Sequence, residues 1–438
     1  MLSRFSFHGT PFPGSDVPKC RTISGMDTQR RISFSPPDIT QAEIDEVVSA
    51  LESGWITTGP KTKQLECDLA EYIGTSKVAC LNSATAALEC GLRLLGIGPG
   101  DEVITSAYTY TASASAICHV GATPVLCDVA PESFEMDYAH LTSLVSAKTR
   151  AVIPVDIAGR MVDYDALYDA LDAASVSWKP SNEAQEQIGH MPVLADAAHS
   201  LGARRHGLNA GQAADLTAFS FHAVKNFTTA EGGALTWKQG SFDDEDAYKQ
   251  VMLMSLHGQT KDALAKDRAG AWEYDIAYPG WKCNMTDMQA GLGLAQLRRY
   301  PGLLERRREL IALYETALGN EDVTLLKHYQ GNPDTDGFAS SGHLMLVQLV
   351  GKKRPFRDAL IERLAGRGIA SNVHYKPLPM LTAYKNMGFD IANFPNAYAQ
   401  FENEITLPLH TLLSDDDVAY ICESFIDCMH ELETEGVQ

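Results

Sequence analysis

Residues 193–233 read VLADAAHSLGARRHGLNAGQAADLTAFSFHAVKNFTTAEGG. Two brief apolar runs, Val193–Ala195 and Leu216–Phe221, are bounded by Gly and polar clusters, which predicts two buried strands. Each run hands over to residues with little use in a core. Asp196 and His199 follow the first, and Ser220, His222, Lys225 and Asn226 close the second. In open α/β sheets ligands gather at the carboxyl ends of strands, so Asp196, Ser220 and Lys225 are expected to face one ligand. Taken singly, a Lys after a strand is an ordinary solvated loop residue and a buried Asp an ordinary helix cap. The argument therefore rests on several motifs falling in order along the chain.

An Asp, a Lys and a hydroxyl together suit pyridoxal 5′-phosphate (PLP). The Lys bonds its aldehyde, the Asp pairs with the pyridinium nitrogen, and the hydroxyl holds the phosphate. The segment SFHAVKN-x4-EGG after LADAAH resembles the PLP core of the DegT/DnrJ/EryC1/StrS family of sugar aminotransferases. The likeness is nearest to the 4-amino-sugar branch that includes the 4-amino-4-deoxy-arabinose aminotransferases, and it runs from about residue 32 to the C-terminus. The resemblance implies a fold-type-I α/β enzyme: a large, doubly wound, mostly parallel sheet domain over residues 32–300 and a smaller C-terminal α+β domain over 301–438. One departure is Ala195, where many relatives carry Glu before the Asp.

Outward from this centre, the chain alternates strands and helices, the pattern of a doubly wound sheet. Residues 38–53 predict a helix capped by Asp38 or Thr40, with Ile44, Val47, Val48 and Leu51 as its apolar stripe. Gly54–Pro60 breaks it and is similar to a W-x-T/S-x-G segment lining the family's active site, which carries Thr58 over as a substrate residue. A helix over Thr62–Tyr72 ends at Gly74. Strand Val78–Leu81 then feeds Asn82-Ser83-Ala84-Thr85 into a further helix, and free backbone N–H groups at such a helix start favour an anion. Ser83 there is also an ordinary N-cap, a role with the same geometry. By resemblance Ala84 and Thr85 hold the PLP phosphate. After strand Val103–Thr105 comes Tyr110, which best matches the aromatic that stacks on the pyridine ring, with Tyr108 its rival. A strand in GATPVLCDV, a helix over Tyr138–Val145 and the strand in AVIPVDIAG follow, with Asp156 and Gly159 where the family has His or Asp before Gly. Residues 174–191 are polar and aperiodic, which predicts an exposed insertion. Asp243–Asp246 is expected to be a solvated acidic face.

Further on, GWKCNMTD resembles a family segment that reaches the PLP phosphate of the neighbouring subunit, and the matching residue is Asn284. A helical run over Leu303–Leu318 predicts the connection to the second domain, which mixes strands (Val323–Leu326, His343–Leu349) with helices such as Pro355–Leu364. SNVHYKPL is similar to the segment that closes over the sugar, and His374 is its candidate substrate residue.

Composition narrows the partners. The 438 residues are 45% hydrophobic and 21% charged, ordinary for a globular protein with room for a large and a small domain. Fifty-six acids against 36 bases give a formal charge of −20. That argues against nucleic acid, and an anionic substrate must then be met by local cations. Nine scattered cysteines without a C-x-x-C pair point to reduced thiols in the cytoplasm, not to a disulfide framework or a metal site. Several of them (Cys80, Cys90, Cys118, Cys127) sit in apolar surroundings and are expected to act as small hydrophobes. No apolar run is long enough to span a membrane. Residues 1–31 lack a signal peptide's apolar stretch and read as a disordered leader, a start at Met26, or an Arg/Ser-containing transit segment.

The resemblance implies an aminotransferase that takes the amino group of L-glutamate, releases 2-oxoglutarate and delivers the amine to a nucleotide-linked keto-sugar, with the 4-keto position favoured. Lys225 would be the covalent residue and proton carrier. Asp196 would hold the pyridine proton, a pairing that should lower its pKa. Ser220, with Asn284 of the other subunit, would help to anchor the phosphate. His199 would bond near the cofactor's 3′ oxygen or the Asp. A homodimer with shared active sites follows. A 3-keto-sugar aminotransferase and a non-catalytic PLP-binding regulator are the rival readings. The regulator would want a DNA-binding appendage, which the chain does not display.

Overall fold

The computed structural model describes residues 30–437 except Ser177 and residues 262–272. Seven strands form its centre. Val78–Leu81, Gly233–Trp237, Leu216–Ser220 and Leu194–Asp196 hydrogen-bond in that order, while Thr149–Ile153, Glu102–Ser106 and Thr123–Cys127 form a parallel set. Parallel bridges Val152–Val193 and Val155–Asp196 join the two sets into one surface. Gly233–Trp237 runs against both its neighbours, and the remaining pairings are parallel. The strands are buried almost throughout, as a sheet covered on both faces must be. The two strands read from the apolar runs are thus present, the first shifted by one residue to Leu194–Asp196 and the second one residue shorter at Leu216–Ser220.

Helix starts follow local chemistry. Thr40, not Asp38, caps the helix Gln41–Glu52 in a capping box with Glu43. Gly74 closes Pro60–Ile73 in the left-handed region at φ 83°. Ser83 caps Ala84–Leu94 by accepting from the Ala86 amide. The acidic stretch Asp243–Asp246 is largely exposed, as expected, and also serves the fold: Asp243 caps Asp244–Ser255, and Asp244 accepts from the buried Trp237 indole. Residues 174–191 are likewise only partly an exposed insertion. They contain a helix, Glu183–Ile188, whose Gln185 is fully buried and, with Asn182, donates to the Leu95 carbonyl.

The helix expected over Leu303–Leu318 begins at Asp287 and runs 32 residues through Pro301. A division at 300/301 therefore falls inside one helix. Tyr300 and Leu303 belong to the apolar cluster on the large sheet, whereas Leu310, Ile311, Tyr314 and Leu318 belong to a second cluster that also contains Ile32. That second cluster lies on the antiparallel sheet Val323–Leu325, Met345–Leu349, Glu404–Leu407 and on the helices Arg354–Gly366 and Asp415–Thr434.

The apolar stripe of the first helix turns outward. Ile44, Val48 and Leu51 are exposed, as are Ile39 and Ile56. The face that packs inward carries Ala50 and the fully buried Glu43, which accepts from Gln296 and Arg299. The eight described cysteines are unpaired; Cys80, Cys90 and Cys127 are buried and Cys118 partly so. Among the described residues no helix is long and apolar enough to cross a membrane. The leader expected over 1–31 lies outside the described residues save Arg30 and Arg31, and Arg30 pairs with Asp417.

Candidate active site

Strand ends deliver the first functional groups. Asp196 closes Leu194–Asp196 and Ser220 closes Leu216–Ser220, and Lys225 follows in the turn. All three line one cavity of about 420 Å³. Ala84, Thr85 and Tyr110 line it too, as do His199 and His374. Most residues read from the sequence as cofactor or substrate contacts thus meet in one place. Tyr110, 62% exposed, presents its ring there, whereas Tyr108 is fully buried and spends its hydroxyl on the His374 carbonyl. Tyr110, not its rival, is available to stack on a ligand.

Thr58 and Asn284 lie elsewhere. Asn284 donates to the Thr58 hydroxyl at 2.5 Å, and both line a second cavity of about 440 Å³ beside Tyr248. Within one chain they do not reach the Lys225 cavity.

Burial sets the electrostatics. It pushes the Lys225 amine down to about 8, and attraction to Asp196 offsets only part of this. In the cofactor-free chain burial raises Asp196, against a hydrogen bond from Ser113 at 2.7 Å, the Ala198 amide and the charge of Lys225; the depression expected from pairing belongs to the state with a pyridinium against it. A carboxylate in that condition is stabilised by any cation brought against it.

The helix start faces the same space. A first helical turn leaves amides without intrahelical partners. Ser83 takes that of Ala86, and those of Ala84 and Thr85 remain. Strand Gly233–Trp237 lies so close here that a Cβ on Gly233 would sit 2.4 Å from the Ala84 nitrogen. These residues fit PLP: a buried carboxylate for the pyridinium nitrogen, free amides and the Ser220 hydroxyl for a phosphate, an amine for the aldehyde and an exposed ring for the face.

The opposite wall was less visible in the sequence. His199 bonds neither Asp196 nor an open position: its Nδ1 accepts from the Ala158 amide at 3.2 Å, and Nε2 lies 3.1 Å from the Tyr375 hydroxyl. Burial holds the ring well below the usual histidine range, so it is neutral. A neutral ring that accepts at Nδ1 carries its proton on Nε2 and donates to Tyr375. The Tyr375 proton is then left for another acceptor. His343 packs on His199 with ring centres 4.3 Å apart, and its Nδ1 is 2.8 Å from Asn226 Oδ1. Asp156 stands behind, accepting from Ser200, Tyr164 and the Val162 amide, with burial raising it to about 7. Tyr375, His343, Phe34 and Ser113 were missed. For Tyr375, adjacency to His374 in HYKP was the available signal; the others carry no local pattern.

Comparison with known proteins gives the same picture. The sequence profile of the DegT/DnrJ/EryC1/StrS aminotransferase family matches residues 37–426. The Bacillus subtilis spore coat polysaccharide biosynthesis protein SpsC is 37% identical over 408 residues, 91% of this chain and 98% of that protein. The structure of Spr1654 from Streptococcus pneumoniae, assigned as a sugar aminotransferase, superposes in its PMP form with a TM-score of 0.88 at 54% identity, covering 92% of this chain and all (100%) of that one. Its PLP form gives 0.87 at 51% identity, again over 92% and 100% of the two chains. Helicobacter pylori PseC, an aminotransferase involved in the biosynthesis of pseudoaminic acid, gives 0.78 at 26% identity over 92% of this chain and 100% of its own.

Proposed function

The chain belongs to the DegT/DnrJ/EryC1/StrS aminotransferase family, a PLP-dependent sugar aminotransferase, and on that premise we propose that it moves the amino group of L-glutamate to the 4-keto position of a nucleotide-linked sugar. The observation that carries the chemistry is the meeting of Lys225 and Asp196 in one cavity with the Ala84 helix start. Bound there, PLP supplies an aldehyde that bonds amines and a ring that takes up electrons from the substrate carbon. Lys225 Nζ, lowered to about 8, is free amine often enough near neutral pH to take a proton from the donor's Cα and return one to the product. Asp196 would keep a proton on the cofactor's ring nitrogen. The Ala84 and Thr85 amides and Ser220 would hold its phosphate, and Tyr110 would cover its ring and exclude water.

Support for an amino-sugar destined for a glycan comes from SpsC and PseC, whose names place them in polysaccharide and pseudoaminic acid synthesis. Support for a homodimer comes from the outward stripe of Ile44, Val48 and Leu51, an apolar surface of the kind that interfaces cover. Asn284 and Thr58 would then complete the partner's cavity. Mixing Lys225→Ala with Asn284→Ala protein should regenerate one intact site per heterodimer; proven subunit exchange without recovery of activity would refute sharing.

The decisive measurement is the visible spectrum of purified protein. Yellow colour lost on adding L-glutamate and restored by a 4-keto nucleotide-sugar, with the new amine located at C4 by NMR, is the expected result. An amine at C3 would overturn the 4-keto assignment, and colour unmoved by glutamate would overturn the donor.

A further inference from the structure

Behind His374 lies a buried carboxyl that the chemistry above does not use. Glu404, at the start of strand Glu404–Leu407, is fully buried, as is Thr406. Its Oε2 accepts from the His374 backbone amide at 2.9 Å, and its Oε1 lies 2.5 Å from the Thr406 hydroxyl. Thr406 Oγ1 in turn lies 2.9 Å from His374 Nδ1. A bridge between Asn372 and Thr406 sets this register. The His374 ring is held flat against Phe34, with centroids 5.5 Å apart and planes 18° apart, and it lines the Lys225 cavity. A hydrogen-bond chain therefore runs from a carboxyl in the core, through one hydroxyl, to a ring in the substrate cavity.

The chain has two self-consistent directions. The His374 amide can only donate, so Oε2 always accepts and any proton on Glu404 sits on Oε1. With Glu404 ionised, Thr406 donates to Oε1, so its oxygen accepts from Nδ1–H of His374, and Nε2 is a bare acceptor. With Glu404 protonated, Oε1–H donates to Thr406, Thr406 donates to Nδ1, and the ring proton moves to Nε2. We infer that Glu404 is a positioning residue: through Thr406 it decides which nitrogen of His374 carries the proton, and hence whether the ring offers the cavity an acceptor or a donor. The acceptor state suits a sugar hydroxyl. That last clause rests on the sugar aminotransferase reading; the behaviour of the ring does not.

The surroundings leave this switch in reach. Burial pushes Glu404 up to about 8, against the Thr406 hydroxyl, the His374 amide and the charge of Arg357. Burial, with the charge of Lys225, pushes His374 down to about 3, so the ring stays neutral while Glu404 titrates. The groups facing Glu404 are few. Arg357 spends Nη1 on the Glu404 and Phe401 carbonyls and Nε on Asp358, not on the carboxyl. Tyr108 bonds the His374 carbonyl, and Tyr375 is the other phenol within electrostatic reach. Gln348, opposite on the neighbouring strand, carries no charge.

Nitrogen NMR of holoenzyme labelled in its histidine rings tests the inference without substrate, with the His374 signals assigned by their loss in His374→Gln. The wild type should carry the proton on Nδ1 above a pH of about 8 and on Nε2 below it. Glu404→Gln, whose amide must donate to Thr406, should lock the Nε2–H form at every pH. Thr406→Val should abolish the pH response, and Thr406→Ser should restore it. The serine and valine pair decides the matter even where Glu404→Gln fails to fold. In kinetics, Glu404→Gln should raise the KM for the sugar acceptor roughly tenfold on the alkaline side, the size of one misdirected hydrogen bond. A ring whose tautomer ignores pH in the wild type, or a Glu404→Gln protein that keeps Nδ1–H, overturns the proposal. So does a pH-independent fall in kcat alone. Should the ring switch as expected while no keto-sugar is aminated, the relay stands and the substrate assignment falls.

Discussion

The two walls of the Lys225 cavity use opposite materials. The wall from the large sheet brings together a cation and an anion, Lys225 and Asp196, at strand ends where burial disfavours both charges. The wall from His343 to Tyr375 holds neutral rings, and each proton on them is assigned by a partner behind: Ala158 for His199, Asn226 for His343, Thr406 for His374. Charge in a low dielectric is costly and strong, which suits the place where bonds change. Neutral donors and acceptors whose direction is set by a partner behind are cheap to bury and discriminate among hydroxyls, which suits the place where a substrate is chosen.

That division can be broken at its strongest point first. Lys225→Ala should cut amine transfer by roughly 10⁴-fold or more and leave the protein colourless, since it removes both covalent partner and proton carrier; a stopped assay and a spectrum read this. Asp196→Asn should cost about 10²–10³-fold in kcat while cofactor is still retained at saturating PLP. Third, the cost of the charged wall should be visible in the cofactor-free protein. Lys225 has a lower pKa folded than unfolded, about 8 against 10.5. Below 8 the amine is charged in both states and the folded state bears the burial cost. Between 8 and 10.5 the unfolded state binds the extra proton, so stability rises with pH, and above 10.5 the cost is gone. Lys225→Met should therefore stabilise cofactor-free protein at neutral pH by up to about 3 kcal/mol, a gain that shrinks on alkaline titration in denaturant melts. The neutral wall should respond least: Tyr375→Phe should lower kcat/KM for the sugar acceptor about tenfold and leave the colour change with L-glutamate in place.

The two walls also differ in how far they could be read from the chain. Asp196, Ser220 and Lys225 follow short apolar runs, and a strand's end is where the apolar pattern stops, so local pattern and function coincide. Ala84 and Thr85 were readable because a helix start is an anion site by construction. The neutral wall is assembled by strand Glu404–Leu407 reaching back to Asn372, and by His199 meeting Tyr375 across 176 positions. No spacing encodes such a meeting. The burial of Asp196 is hidden in the same way: its residue type suggests a charge partner, but the depth that raises its pKa is set by elements distant in the chain, and the Ser113 hydrogen bond that opposes the rise comes from 83 positions away. On the first helix, period alone gave the apolar stripe but not its side, because Glu43 found Arg299 and Gln296 inside.

The helix Asp287–Leu318 has a mechanical consequence. It is a strut set into both halves, with Tyr300 anchored by its hydroxyl to the Leu201 carbonyl and Tyr314 to that of Pro408. Pro301 falls between the two anchors and interrupts the backbone hydrogen bonds there, so any bend of the rod is concentrated at that turn.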